Sequence, residues 1–145
     1  MQLPAYWIPR PSCVLDDASK RACDYLLASA IAQGHHRPLH YTLPIPKWQC
    51  LCYLADEHQF ALHGSGDGII RQFEPRQPSD VTTFGNQRAV YAAADGIWPM
   101  YFAIMDRTRQ KLSLLNGCIR VAFGPDQNQM SDPFYLFSIS HHALP

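Results

Sequence analysis

At 145 residues, with 47% hydrophobic and 17% charged side chains, the chain has the size and make-up of one packed globular domain. Its 12 basic and 12 acidic side chains cancel, so no basic stripe points to nucleic acid and no acidic block forms a tail. No apolar run reaches membrane-spanning length, and the start, M-Q-L-P-A-Y-W-I-P-R-P, has neither the positive charge nor the apolar segment of a secretory signal; no membrane partner is expected.

The first 15 residues are a Pro-rich, extended arm whose Tyr6, Trp7 and Ile8 can pin it to a body spanning 16–145. Asp16-Asp17 then opens a helix over about 17–33: Ala22, Cys23, Leu26, Leu27, Ala30 and Ile31 recur at helical spacing, and Gly34 stops it. His35-His36-Arg37-Pro38 turns the chain. Residues 39–46 alternate loosely but carry Pro44 and Pro46, which allows at most a short edge strand. Trp48 to Leu54 reads equally as helix or strand, and on a strand Cys50 and Cys52 would share a face.

Phe60 to His63 predicts a short strand, 64–68 a glycine-rich loop, and 69–73 a further short element. A loop over 74–86 leads to a strand over 88–93. Asp95 can cap a helix over 97–107, where Pro99 is tolerated only in the first turn. Residues 112–123 predict one or two strands, with Asn116-Gly117 as the turn of a hairpin, and 134–140 (F-Y-L-F-S-I-S) is the clearest strand. A helix first, then mixed strands around a central helix, is an α+β order without strand–helix alternation.

The five cysteines (13, 23, 50, 52, 118) have no framework spacing, which fits reduced, mostly buried thiols in a cytoplasmic protein. The seven histidines include the adjacent pairs His35-His36 and His141-His142, neighbours of a kind that rarely ligate one ion, and no C-x-x-C occurs, so no metal site is expected. Gly64-x-Gly66-x-Gly68 has the wrong spacing for a dinucleotide fingerprint, and Gly64-Ser65-Gly66 is not a hydrolase elbow.

His63-Gly64-Ser65 at one strand end, followed by Phe73-Glu74-Pro75-Arg76, then Val90-Tyr91-Ala92-Ala93 on a second strand and a helix just after it, resembles the ADP-ribosyltransferase family, in the branch with a His-Tyr-acid signature. The likeness covers roughly residues 60–106. It implies two small packed sheets, mixed or antiparallel, behind an N-terminal helix, with NAD as substrate in a groove between them. His63 would hold a ribose hydroxyl, and the Gly64-Ser65 backbone would take the nicotinamide amide. Tyr91 would stack on the nicotinamide ring, with Tyr101 or Phe102 as a second aromatic wall and Arg76 near the nucleotide. The family's third residue is a late acid, usually Glu. The only glutamates here are Glu57 and Glu74, both too early, so either Asp126 or Asp132 fills that role, or the acid is missing. The sequence therefore carries two readings from this resemblance, an NAD-dependent transferase with an unspecified acceptor and a catalytically inactive binding module, beside a plain globule in which H-G-S is only a turn.

Overall fold

In the computed structural model, which describes residues 3–34, 37–68, 70–78, 80–105 and 113–140, the first helix begins where its capping residue puts it. Asp16 is extended, and its carboxylate accepts from the Ser19 amide at 2.7 Å, satisfying one of the open amides of helix α1 (Asp17–Gln33). Gly34, at φ 81°, ends the helix with its amide on the Ile31 carbonyl.

The stretch around Trp48 is helix: α2 runs Lys47–His58, directly after Pro46. On a helix, residues two apart point to different sides. Cys50 accordingly joins Cys23 and Leu54 in the core between α1 and α2, while Cys52 backs onto Gly96. The shared face that a strand would have given the two cysteines does not exist. The segment before α2 forms no strand; Pro44 and Pro46 cannot donate to a ladder. Its Tyr41, Leu43 and Ile45 pack on the helix pair instead, and the Tyr41 hydroxyl donates to the Ile45 carbonyl at 2.8 Å.

The strands expected at 60–63 and 88–93 shrink to isolated antiparallel bridges, Leu62 with Ala93 and Arg76 with Ala89. No element forms over 70–73, and Ile69 lies outside the described residues. The helix expected over 97–107 is the shorter α3 (Trp98–Ala103); residues 106 and 107 lie outside the described residues. Asp95 does not cap it. Its Oδ1 accepts from the Ile97 amide at 2.9 Å, two residues on, and Ile97 is the cap residue.

The remaining strands are β1 (Ile8–Pro9), β2 (Leu114–Ile119), β3 (Ala122–Phe123), β4 (Gln129–Met130) and β5 (Phe134–Ile139). They make a three-stranded sheet in the order β1-β5-β2 and a separate β3-β4 hairpin, both antiparallel. Asn116-Gly117 is not a turn: β2 passes straight through it, pairing Asn116 with Phe137 and Gly117 with Leu136. A Cβ at 117 would come to 3.0 Å from the Trp7 ring, so the arm's tryptophan lies across β2. The tight turn comes later, at 124–127, where Gly124 (φ 90°) and Gln127 (φ 51°) reverse the chain.

β5 sits in the middle of its sheet and turns Tyr135 and Phe137 toward α3. Tyr101 and Phe137 stack with ring centroids 4.7 Å apart, Trp98 lies 5.5 Å from Phe137, and the Tyr101 hydroxyl donates to the Ser138 carbonyl at 2.6 Å. The fold is thus α+β, with a helix pair on one core and α3 against a small antiparallel sheet on another. No helix among the described residues is long and apolar enough to cross a membrane.

Candidate functional site

The Leu62–Ala93 bridge, with main-chain N–H···O distances of 2.8 and 2.9 Å, brings the His63 imidazole to the Tyr91 carbonyl. His63 Nδ1 is 2.7 Å from that oxygen. A carbonyl can only accept, so Nδ1 carries a proton, and in the neutral form of the ring Nε2 is the nitrogen left with a lone pair to accept. His63 is exposed, and the Phe73 ring stands edge-on to it with centroids 5.2 Å apart. An oriented acceptor beside an aromatic ring suits a hydroxyl on a flat or sugar-bearing ligand.

Gly64 presses that strand end onto α3. A Cβ at Gly64 would lie 1.8 Å from the Pro99 carbonyl oxygen and 3.0 Å from Phe102 Cβ; one at Gly66 would lie 2.2 Å from the Met105 carbonyl oxygen. These glycines serve close backbone approach, since the positive-φ glycines are Gly34 and Gly124 among the described residues. Ser65 Oγ accepts from the Asp67 amide at 3.1 Å and so shapes the loop from within.

Tyr91 meets His63 through its main chain, while its ring goes elsewhere. The phenol oxygen is 2.9, 3.0 and 2.8 Å from the carbonyls of Phe84, Gly85 and Gln87 and accepts from the Gln87 amide at 3.1 Å. Phe84 stands edge-on to the ring. Arg76 is exposed and pairs through two main-chain bonds with Ala89, on the 89–93 segment whose other end pairs with Leu62 beside His63.

His63, Gly64, the Tyr91 carbonyl and Phe102 therefore come together. Tyr101 does not join them: it is 5% exposed and committed to β5. Asp126 lies exposed in the β3–β4 turn, and no hydrogen bond or ion pair among the described residues ties Asp126 or Asp132 to His63 or Tyr91. Phe73, part of the F-E-P-R stretch of the resemblance but given no role at the site by it, stands against His63; an isolated aromatic in a loop carries no periodicity to mark such a role. An open apolar hollow of about 580 Å³ lies on the three-stranded sheet, lined by Tyr6, Ile8, Leu115, Leu136 and Phe137 among others, and includes none of the expected site residues.

Electrostatically, the densest group is away from His63. Arg10 grips Asp56 with Nη2 at 2.7 and 2.9 Å from its two oxygens, Arg10 Nε is 3.9 Å from Asp95, and the Tyr135 hydroxyl donates to Asp95 at 2.6 Å. Burial is the largest single influence and works against the Arg10 charge, but the hydrogen bonds to Asp56 and Cys52 and the Asp56 charge together outweigh it and hold the guanidinium protonated. Burial pushes the neighbouring Cys52 thiol up to about 11, with Arg10 opposing, so Cys52 is a neutral thiol near pH 7. No cluster of His, Cys, Asp and Glu among the described residues is arranged to hold a metal ion.

No family model, no curated protein and no solved structure matches this chain.

Proposed function

We propose that the chain is a cytoplasmic protein similar to the ADP-ribosyltransferases, and that it takes NAD as substrate at His63. The observation that carries this reading is the fixed tautomer of His63. With Nδ1 committed to the Tyr91 carbonyl at 2.7 Å, Nε2 is an exposed, oriented acceptor for a ribose hydroxyl, beside a glycine pressed against α3. Phe73 and Phe102 offer apolar walls, and the exposed Arg76 offers a cation to a diphosphate. In the transferase reading the glycosidic bond of the substrate breaks and nicotinamide leaves with the bonding pair. An acceptor nucleophile then forms the new bond to the ribose carbon and gives up its proton. Asp126 or Asp132 is the acid available to orient that nucleophile.

A second reading is favoured by the placement of two residues. Tyr91's hydroxyl is tied into the 84–87 turn, and Asp126 stands in an exposed hairpin turn. A cleft with an oriented histidine and no acid beside it would bind a nucleotide without turning it over.

Calorimetric titration with NAD tests both. Binding in the micromolar range, roughly −8 kcal/mol, that weakens at least about tenfold in His63→Ala supports the cleft. Release of nicotinamide by the wild-type chain, lost in Asp126→Asn or Asp132→Asn, supports the transferase over the binding module. The absence of heat at millimolar NAD overturns both readings.

A further inference from the structure

The geometry points to Tyr91 as a positioning residue whose hydroxyl, anchored in the 80–87 turn, holds its own carbonyl in place for His63, so that order in the turn sets the tautomer of the imidazole. This inference rests on the proposed nucleotide reading for its use, but its physical content does not.

The segment carrying Tyr91 is weakly held by its main chain. It is fixed at Ala89 by two bonds to Arg76 and at Ala93 by two bonds to Leu62, with no continuous ladder between those isolated bridges. Tyr91 lies midway, and its hydroxyl supplies the third anchor. One phenol oxygen collects three carbonyls at 2.8–3.0 Å and one amide at 3.1 Å. A hydroxyl has one proton to give, so those carbonyls share it, and the turn closes around that oxygen.

The turn is braced on its far side as well. Asp80 accepts from the amide and the hydroxyl of Thr82, both at 2.8 Å, and Thr82 Oγ1 accepts from the Gly85 amide at 2.9 Å. Gln77 Nε2 donates to the Asn86 carbonyl at 2.7 Å. The turn is therefore a small, internally bonded body, and Tyr91 is the residue that bonds to it through the side chain and to His63 through the backbone.

A ring that only stacked on a ligand would not need its hydroxyl. Tyr91→Phe keeps the ring and removes the anchor, which separates the two roles. The test is made by NMR on the full chain, reading the exchange rate of the Gln87 amide and the imidazole nitrogen shifts of His63. In the wild type the Gln87 amide should exchange at least about tenfold slower than an unprotected amide, and His63 should show one tautomer with Nδ1 protonated. In Tyr91→Phe the Gln87 amide should lose that protection and His63 should become a mixture of tautomers. Thr82→Ala loosens the same turn without touching Tyr91 and should move both readouts the same way by a smaller amount. NAD affinity should fall as far in Tyr91→Phe as in Tyr91→Ala.

An unprotected Gln87 amide in the wild type overturns the inference. So does a single wild-type tautomer of His63 persisting in both Tyr91→Phe and Thr82→Ala, or NAD binding that survives Tyr91→Phe and is lost in Tyr91→Ala. The exchange and imidazole readouts need no ligand, so failure of the wild type to bind NAD would sink the nucleotide reading and leave the coupling to be judged on its own.

Discussion

The Tyr135 hydroxyl lies 2.6 Å from Asp95 Oδ2, and Tyr135 is 1% exposed. The other Asp95 oxygen takes the Ile97 amide and faces Arg10. One carboxylate thus joins β5, the approach to α3 and the N-terminal arm. Tyr135→Phe removes the donor and leaves a partly buried carboxylate oxygen short of a partner. The expected cost is about 1–3 kcal/mol, read as a lower midpoint in urea unfolding with an unchanged slope. A midpoint equal to wild type would mean that water replaces the hydroxyl without loss.

Arg10 is the arm's hold on the body. Its side chain is 18% exposed against 41% for Asp56, so the pair is neither a surface ion pair nor a fully buried one. Arg10→Ala should cost about 1–3 kcal/mol, between the values for exposed and buried pairs. Asp56→Ala should cost less, because Arg10 would keep Asp95 on its Nε side. A double-mutant cycle measures this: coupling near zero between the two sites would show that the bidentate geometry contributes nothing.

How far the sequence disclosed the fold follows from how local each signal was. The start and stop of α1 were legible because the Asp16 cap and the Gly34 stop act within one turn. β5 was legible because five apolar or aromatic residues and one serine run without a breaker. Asn116-Gly117 was misleading, since both residues pair within β2, where Gly117 faces Trp7 from more than a hundred residues earlier in the chain, and make no turn. The Trp48 stretch was ambiguous because a short apolar run has no distinguishing period; Pro46 before it was the usable clue. At the site, the sequence singled out His63 and Tyr91, but the main-chain route by which they meet was not legible. Which atoms of Tyr91 meet His63 depends on where the 84–87 turn puts three carbonyls, and no residue type announces that.

Two buried thiols set an alkaline limit. Burial pushes Cys50 up to about 12 and Cys52 up to about 11, against an ordinary value of 9.0. Above pH 9 the unfolded chain loses these protons while the folded chain keeps them, so unfolding gains and stability falls. The contribution is present in full below about pH 9 and is lost as pH rises through 11 and then 12. Each thiol adds a slope of about 1.4 kcal/mol per pH unit in its window. Cys52→Ala should flatten the fall in unfolding free energy between pH 9 and 11, whatever it does to the value at pH 7. An unchanged slope in that variant would mean that Cys52 ionises in the folded state as readily as in the unfolded one.

Gly64 and Gly68 stand four residues apart in one loop and should respond oppositely to the same substitution. A Cβ at Gly64 would meet the Pro99 carbonyl oxygen at 1.8 Å, and main chain cannot rotate away as a side-chain end can; a Cβ at Gly68 meets nothing within 4 Å. Gly64→Ala must push the His63 strand end off α3, at a cost of about 1–3 kcal/mol or more. Since the same displacement shifts His63 against the Tyr91 carbonyl, it should also disturb the imidazole tautomer and any NAD binding at that end. Gly68→Ala should stay within about 0.5 kcal/mol of wild type and leave both readouts in place. Urea midpoints of the two variants, taken beside the His63 imidazole spectrum, decide the matter. Equal stability in the two variants would mean that α3 gives way at Pro99, and that the strand end is not held as closely as the Gly64 contact requires.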